Sequence, residues 1–131
     1  MGVRGMANTI EKAFEECAKA MFNVEVNVKK VSPSKKIKVK VNASKIDELL
    51  VEWLNALLSQ SSIHRMVFSK FKIDKIESKK GKFELIGNAF GEKLDVKKHE
   101  AKEEVKGATY SQLKVEKNKK GQWIAQCIVD V

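Results

Sequence analysis

A chain of 131 residues, 43% of them apolar, suffices for one domain that buries its own hydrophobic core without disulfide staples. No run approaches the roughly 20 apolar residues that cross a bilayer, the opening Met1-Gly2-Val3-Arg4-Gly5 lacks a signal peptide's apolar core, and Cys17 and Cys127 form no Cys-x-x-Cys, so a soluble protein of the reducing cytoplasm is expected. The 26 Lys and Arg against 17 Asp and Glu leave a net charge of +9, which raises nucleic acid as a partner.

Asn8 and Glu11 are spaced as a capping box, and Ile10, Ala13, Phe14, Cys17, Ala18, Met21 and Phe22 recur at helical spacing, predicting a first helix with one core face. Strict alternation over Val24-Glu25-Val26-Asn27-Val28 and over Ile37 to Val41 predicts two strands, joined as a hairpin through Ser32-Pro33-Ser34. A second helix starts at Ser44, with Asp47 three residues on, and carries Ile46, Leu49, Leu50, Trp53, Leu54, Leu57 and Leu58. That apolar face is broad enough to lie against a sheet.

Beyond it the pattern is β apart from one polar stretch. Val67 to Glu77 and Lys82 to Phe90 flank Ser78-Lys79-Lys80-Gly81, while Thr109 to Lys117 and Gln122 to Val131 flank Asn118-Lys119-Lys120-Gly121. Each loop opens on a polar residue and closes on glycine, which predicts a type I turn followed by a left-handed residue. The expected architecture is a single α+β domain over 1–131, with two amphipathic helices packed on largely antiparallel β-sheet made of three hairpins.

The cationic charge is nearly all lysine; only Arg4 and Arg65 can offer a planar fork to phosphate or guanine. Runs such as Ile37-Lys38-Val39-Lys40-Val41 and Phe71-Lys72-Ile73 place lysine on the solvent face of half-buried strands, where it also deters edge pairing. A basic RNA-binding module, with Lys38, Lys40, Lys70 and Lys72 as its contacts, is the alternative reading. Trp53, Trp123, Phe14 and Phe22 read as core anchors, Cys17 and Cys127 as inert thiols, and His64 as a loop residue. No Gly-rich phosphate loop and no nucleophile with a paired base supports an enzyme.

The closing run Trp123 to Val131 places Asp130 beside the terminal carboxylate. A strand this apolar is expected to be buried, and two buried anions need a lysine or a hard cation. With Gly121 as the left-handed residue of a three-residue loop, Asn118 faces Gln122, Val115 faces Ala125, Leu113 faces Cys127 and Tyr110 faces Asp130. Leu113 and Val115 then share a face with Trp123, Ala125, Cys127 and Val129. Asp130 lies on the face of Ala108 and Lys106, which makes Lys106 its simplest counter-charge, several residues beyond the aspartate.

These residues resemble the archease family over nearly the whole chain. Thr9 to Ala18 resembles its first helix, Leu49 to Leu58 its second, and Phe68-Ser69-Lys70-Phe71 the following strand. Gly91-Glu92, His99, Lys102, Val105-Lys106, Thr109-Tyr110, Trp123, Ala125 and Asp130-Val131 stand in family order. The resemblance implies a non-catalytic activator, expected to be monomeric, that promotes guanylylation and multiple turnover of an RtcB-type RNA ligase in tRNA splicing, with tRNA a partner indirectly through the ligase. It also implies a metal site that includes Asp130 and Val131, an oxygen set suited to calcium or magnesium. Lys106, Glu52, His99 and Tyr110 carry over as partner-facing residues, His99 within a polar loop. The family's opening strand ends in His-Thr-Ala-Asp, whose aspartate is a metal ligand, and the sequence contains no such stretch. A later start or a natural loss would leave metal binding weak or absent and a sheet edge uncovered. Ser111 stands where many relatives have histidine.

Overall fold

Two helices form the middle layer of the molecule, and the computed structural model, which describes residues 1–131, packs both of them against a sheet on either side. The chain runs β1 (Gly2–Ala7), α1 (Ile10–Glu25), β2 (Lys35–Ala43), α2 (Ile46–His64), β3 (Met66–Lys79), β4 (Lys82–Lys93), β5 (Gly107–Ala108), β6 (Lys114–Lys117) and β7 (Trp123–Asp130). One antiparallel sheet has the order β2-β4-β3; in the other, β7 pairs with β1 along one edge and with β6 and β5 along the opposite edge. The α+β architecture on antiparallel sheets is as the sequence predicts. Neither helix is long and apolar enough to cross a membrane.

The first helix buries Ala13, Phe14, Cys17, Ala18, Met21 and Phe22, the residues its periodicity selects. Its cap is Thr9, not Asn8: the Thr9 hydroxyl accepts from the Lys12 N–H at 3.2 Å. The expected strand at Val24–Val28 does not form. Val24 and Glu25 complete the last turn of α1, Val26 donates its N–H to Phe22 O, and Val28–Lys30 makes a short 3-10 turn. Val26, Val28 and Val31 are buried beneath this connection, so the alternation marks burial at a helix exit, which a short apolar pattern cannot distinguish from a strand. β2 therefore has no hairpin partner nearby and pairs with β4 instead.

The second helix begins after Lys45 without a side-chain cap, so the Ser44 box is not used; Asp47 accepts from the Glu48 N–H, and both acids lie at the positive end of the helix dipole. Trp53 is fully buried and donates its indole N–H to Phe14 O at 3.2 Å, tying the helices together. Phe22 packs edge-on against Phe68, with ring centroids 5.4 Å apart, and lies 5.7 Å from Phe71, joining α1 to β3. Where β3 bulges between Ile73 and Lys75, the buried Glu15 accepts the Ile73 N–H at 2.9 Å.

Two of the three predicted hairpins are present, β3–β4 and β6–β7. In the second, Gly121 alone has positive φ (79°) and closes the loop through Asn118, as expected. In the first, Lys79 pairs with Lys82, and Lys80 (φ 51°) and Gly81 (φ 77°) are both left-handed. That is a two-residue turn of type I′, not type I, and it matches the twist of long strands better.

Candidate functional site

The carboxyl end of β7 is held from both sides by backbone. Val129 exchanges hydrogen bonds with Met1, its N–H donating at 2.8 Å and its carbonyl accepting from the Met1 ammonium at 3.1 Å. On the opposite edge, the Lys106 N–H donates to Asp130 O at 2.7 Å, and Thr109 offers both N–H and hydroxyl to Ile128 O, at 2.9 and 2.8 Å. β5 itself is only two residues long and is secured from α2: the Asn55 amide accepts the Ala108 N–H at 2.8 Å and donates to Ala108 O at 3.2 Å. Asn55 thus takes the place of a neighbouring strand on the edge that β7 does not cover.

On this fixed backbone the side chains face water. Ala125, Cys127 and Val129 turn into the core as the sequence predicts, but Asp130 is exposed and Val131 is 41% exposed, so the expectation of buried acids is corrected. The last residue of an alternating strand falls on the outward face, and the sheet ends there. Lys106 is also exposed and lies closer to Asp130 than expected, beside its strand partner Gly107 and without an ion pair to the carboxylate. Tyr110, expected opposite Asp130, is displaced: Val115 does pair with Ala125, but the chain turns at Tyr110–Leu113, where Gln112 has φ 51°, and Gly107 takes the place opposite Asp130. Tyr110 is 58% exposed beside the same strand end. Glu52 lies on the exposed side of α2, one turn before Asn55.

His99 corrects the expectation of a surface contact, because it is fully buried. Asp95 N–H donates to its Nδ1 at 3.0 Å, which places the proton on Nε2, directed at Glu92 Oε2 2.8 Å away. Glu92 also receives Lys98 Nζ and the Ser32 N–H, both at 2.9 Å. These bonds, that of Lys98 foremost, hold its carboxyl down to about 2. The group latches the 94–105 loop to β4 and to the connection before β2. Burial pushes the Cys127 thiol up to about 11 and the Cys17 thiol higher still, so both are inert while folded.

A cavity of about 460 Å³ lies between Leu58, Arg65, Met66 and Leu94, lined also by Glu25, but none of the expected site residues lines it. The chemistry of Asp130 and of the Val131 carboxylate, all oxygen, fits a hard cation in kind. Asp130 and the terminal carboxylate are the two acidic oxygen groups gathered here, and no third His, Cys, Asp or Glu joins them.

The Archease protein family (MTH1598/TM1083) matches residues 1–131. The chain is 44% identical to the protein archease of Pyrococcus furiosus over 131 residues, all of this chain and 92% of that relative. Among solved structures, the solution structure of protein 1598 of Methanobacterium thermoautotrophicum superposes with a TM-score of 0.84 at 31% identity, over 99% of this chain and 91% of that one. A Thermotoga maritima archease, described as a possible chaperone, shares the fold with a TM-score of 0.61 at 13% identity, over 100% and 90% of the two chains.

Proposed function

The chain belongs to the archease family, and on that premise we propose that it acts in the cytoplasm, as a non-catalytic monomer, on an RNA ligase of the RtcB type, promoting the ligase's guanylylation and multiple turnover in tRNA splicing. What carries the reading is the construction at the end of β7: Lys106, Asp130, Val131 and Tyr110 stand exposed on a backbone tied down on both edges. A protein that biases a partner between states needs a surface of this kind, because differential binding is weakened when the binder must first be ordered. His99 supports that surface from inside by fixing the loop that leads to Lys106.

Asp130 and the Val131 carboxylate supply part of the oxygen shell of a calcium or magnesium ion. A hard cation takes about six to eight oxygens, so water or the partner provides the rest, and the isolated chain binds such an ion weakly. Asp130 and the Val131 carboxylate would hold such an ion, which would supply positive charge at this end of the sheet. Joining of RNA halves by the ligase, compared under single and multiple turnover, tests the proposal, with calcium titrations run in parallel. The wild-type chain raises multiple turnover, while Asp130→Ala and Lys106→Ala lose most of that effect at unchanged stability. No rise with the wild-type chain refutes the reading.

A further inference from the structure

The outer face of the β2-β4-β3 sheet gathers six lysines in two columns. Strand register places Lys36, Phe90 and Lys70 in one row, Lys38, Asn88 and Lys72 in the next, and Lys40, Ile86 and Lys75 in the third. Residues paired in this way point to the same side of a sheet, and all six lysines are exposed. Lys75 belongs to the set because of the bulge after Ile73: without the extra residue, the three-residue step from Lys72 would turn it to the helix side. Strand spacings put the columns about 10 Å apart, with successive lysines about 7 Å apart along each.

Charge compensation on this face is uneven. Glu84 lies 3.8 Å from Lys40 and Glu77 lies 3.3 Å from Lys75, so the third row is neutralised. Asp74 accepts from the Asn88 amide at 3.2 Å, a neutral donor that leaves its negative charge beside the second row. In the first two rows Lys70 sits over the Phe90 ring, 5.1 Å from its centroid, and Lys36, Lys38 and Lys72 have no ion pair. A face serving solubility alone intersperses both signs, whereas four lysines without an ion pair, set against the single carboxylate of Asp74, leave a positive excess that a bridging anion would relieve.

We propose that this face binds the phosphate backbone of RNA without reading its sequence. Lysine is a point charge that meets phosphate oxygens and carries no bidentate code for a base, and two parallel columns suit a regularly repeating anion. An acidic protein would require an apolar anchor, but the central column offers only half-buried Ile86, half-buried Phe90 under its lysine, and buried Asn88. The choice of RNA over DNA rests on the function proposed above; the surface itself does not.

Anisotropy of a labelled single-stranded RNA oligonucleotide across a salt series, with no ligase present, provides the test. Three to four phosphates neutralised on a single strand give a slope of log affinity against log salt of about −2 to −3. Lys36→Glu, Lys38→Glu and Lys72→Glu combined bring that slope near zero and lower affinity at least about tenfold at low salt, while single Lys→Gln variants each lessen it by roughly 0.7. Lys19→Glu, Lys119→Glu and Lys120→Glu combined make the same charge change elsewhere and retain the wild-type slope. The proposal is overturned if the wild type shows no salt-dependent binding, if both triple variants lose equally, or if poly-glutamate displaces RNA as well as unlabelled RNA does, which would assign the face to acidic proteins. Because the readout contains no ligase, its failure is distinct from a failure to raise ligase turnover.

Discussion

Replacing Asn55 tests whether one side chain of α2 holds the whole terminal cluster in place. Its amide makes two hydrogen bonds, at 2.8 and 3.2 Å, to the N–H and carbonyl of half-buried Ala108. Each is worth about 1 kcal/mol, and partial rehydration of Ala108 limits the further penalty, so Asn55→Ala and Asn55→Leu should each cost about 2 kcal/mol. Leucine keeps the branched heavy-atom skeleton without the amide, which separates the bonds from the packing. At about 3–4 °C per kcal/mol for a domain of this size, the midpoint should fall by about 6–8 °C. Denaturant melts read the energy, and native-state hydrogen exchange reads the place: the Ala108 amide should lose its protection first, with those of Lys106 and Thr109 loosening next as β5 lifts from β7. If Asn55→Leu stays within about 0.5 kcal/mol of wild type and the Ala108 amide still exchanges slowly, the clamp is decorative and the rigidity argument for Lys106 and Asp130 fails.

The Glu92 latch makes stability depend on pH in a definite window. A carboxyl whose folded pKa is depressed contributes stability above its ordinary value near 4.5 and loses it as pH falls toward about 2; Glu92→Gln should therefore be less stable at neutral pH and show a flatter stability curve between those limits. Coincident pH curves for the two proteins would contradict the latch. Gly5→Ala should cost about 3 kcal/mol or more, read as a thermal shift, because a Cβ there runs into the α1 backbone at Ala13 and Cys17, which cannot yield as a side-chain end can.

What the sequence made legible follows from local physics. Long 3.6-residue periods identified α1 and α2, and glycine-closed loops between apolar runs identified β3–β4 and β6–β7. β1 went unread because Gly2 and Gly5 interrupt it; it is a strand only because it pairs with β7 and because Gly5 lets it sit against α1. The pairing of β2 with β4 spans some 50 residues, and nothing in a local pattern encodes it. In the site, the nearness of Lys106 to Asp130 was legible from the hairpin, yet the partner residue was wrong by three positions because extrapolated register does not foresee the turn at Tyr110–Leu113. Asn55 carried no signal, and the family order that picked out Glu92 and His99 did not show that they meet, since each of these contacts forms with a backbone or a side chain brought near only by tertiary folding.

The two surfaces singled out belong to different layers. Lys106, Asp130 and Val131 lie at the end of the β1-β7-β5 sheet, whereas the lysine columns lie on the outer face of β2-β4-β3, with both helices between the sheets. They share no residue, no hydrogen bond and no ion pair. Occupation of one therefore leaves the other open, and a single small domain can touch a protein on one side while holding a polyanion on the other. Groups so separated couple weakly, so losses in ligase turnover from Asp130→Ala and from the lysine variants should add as free energies. Strong non-additivity would mean that both surfaces meet the same face of the partner, and the lysines would then be reading its acids, not its RNA.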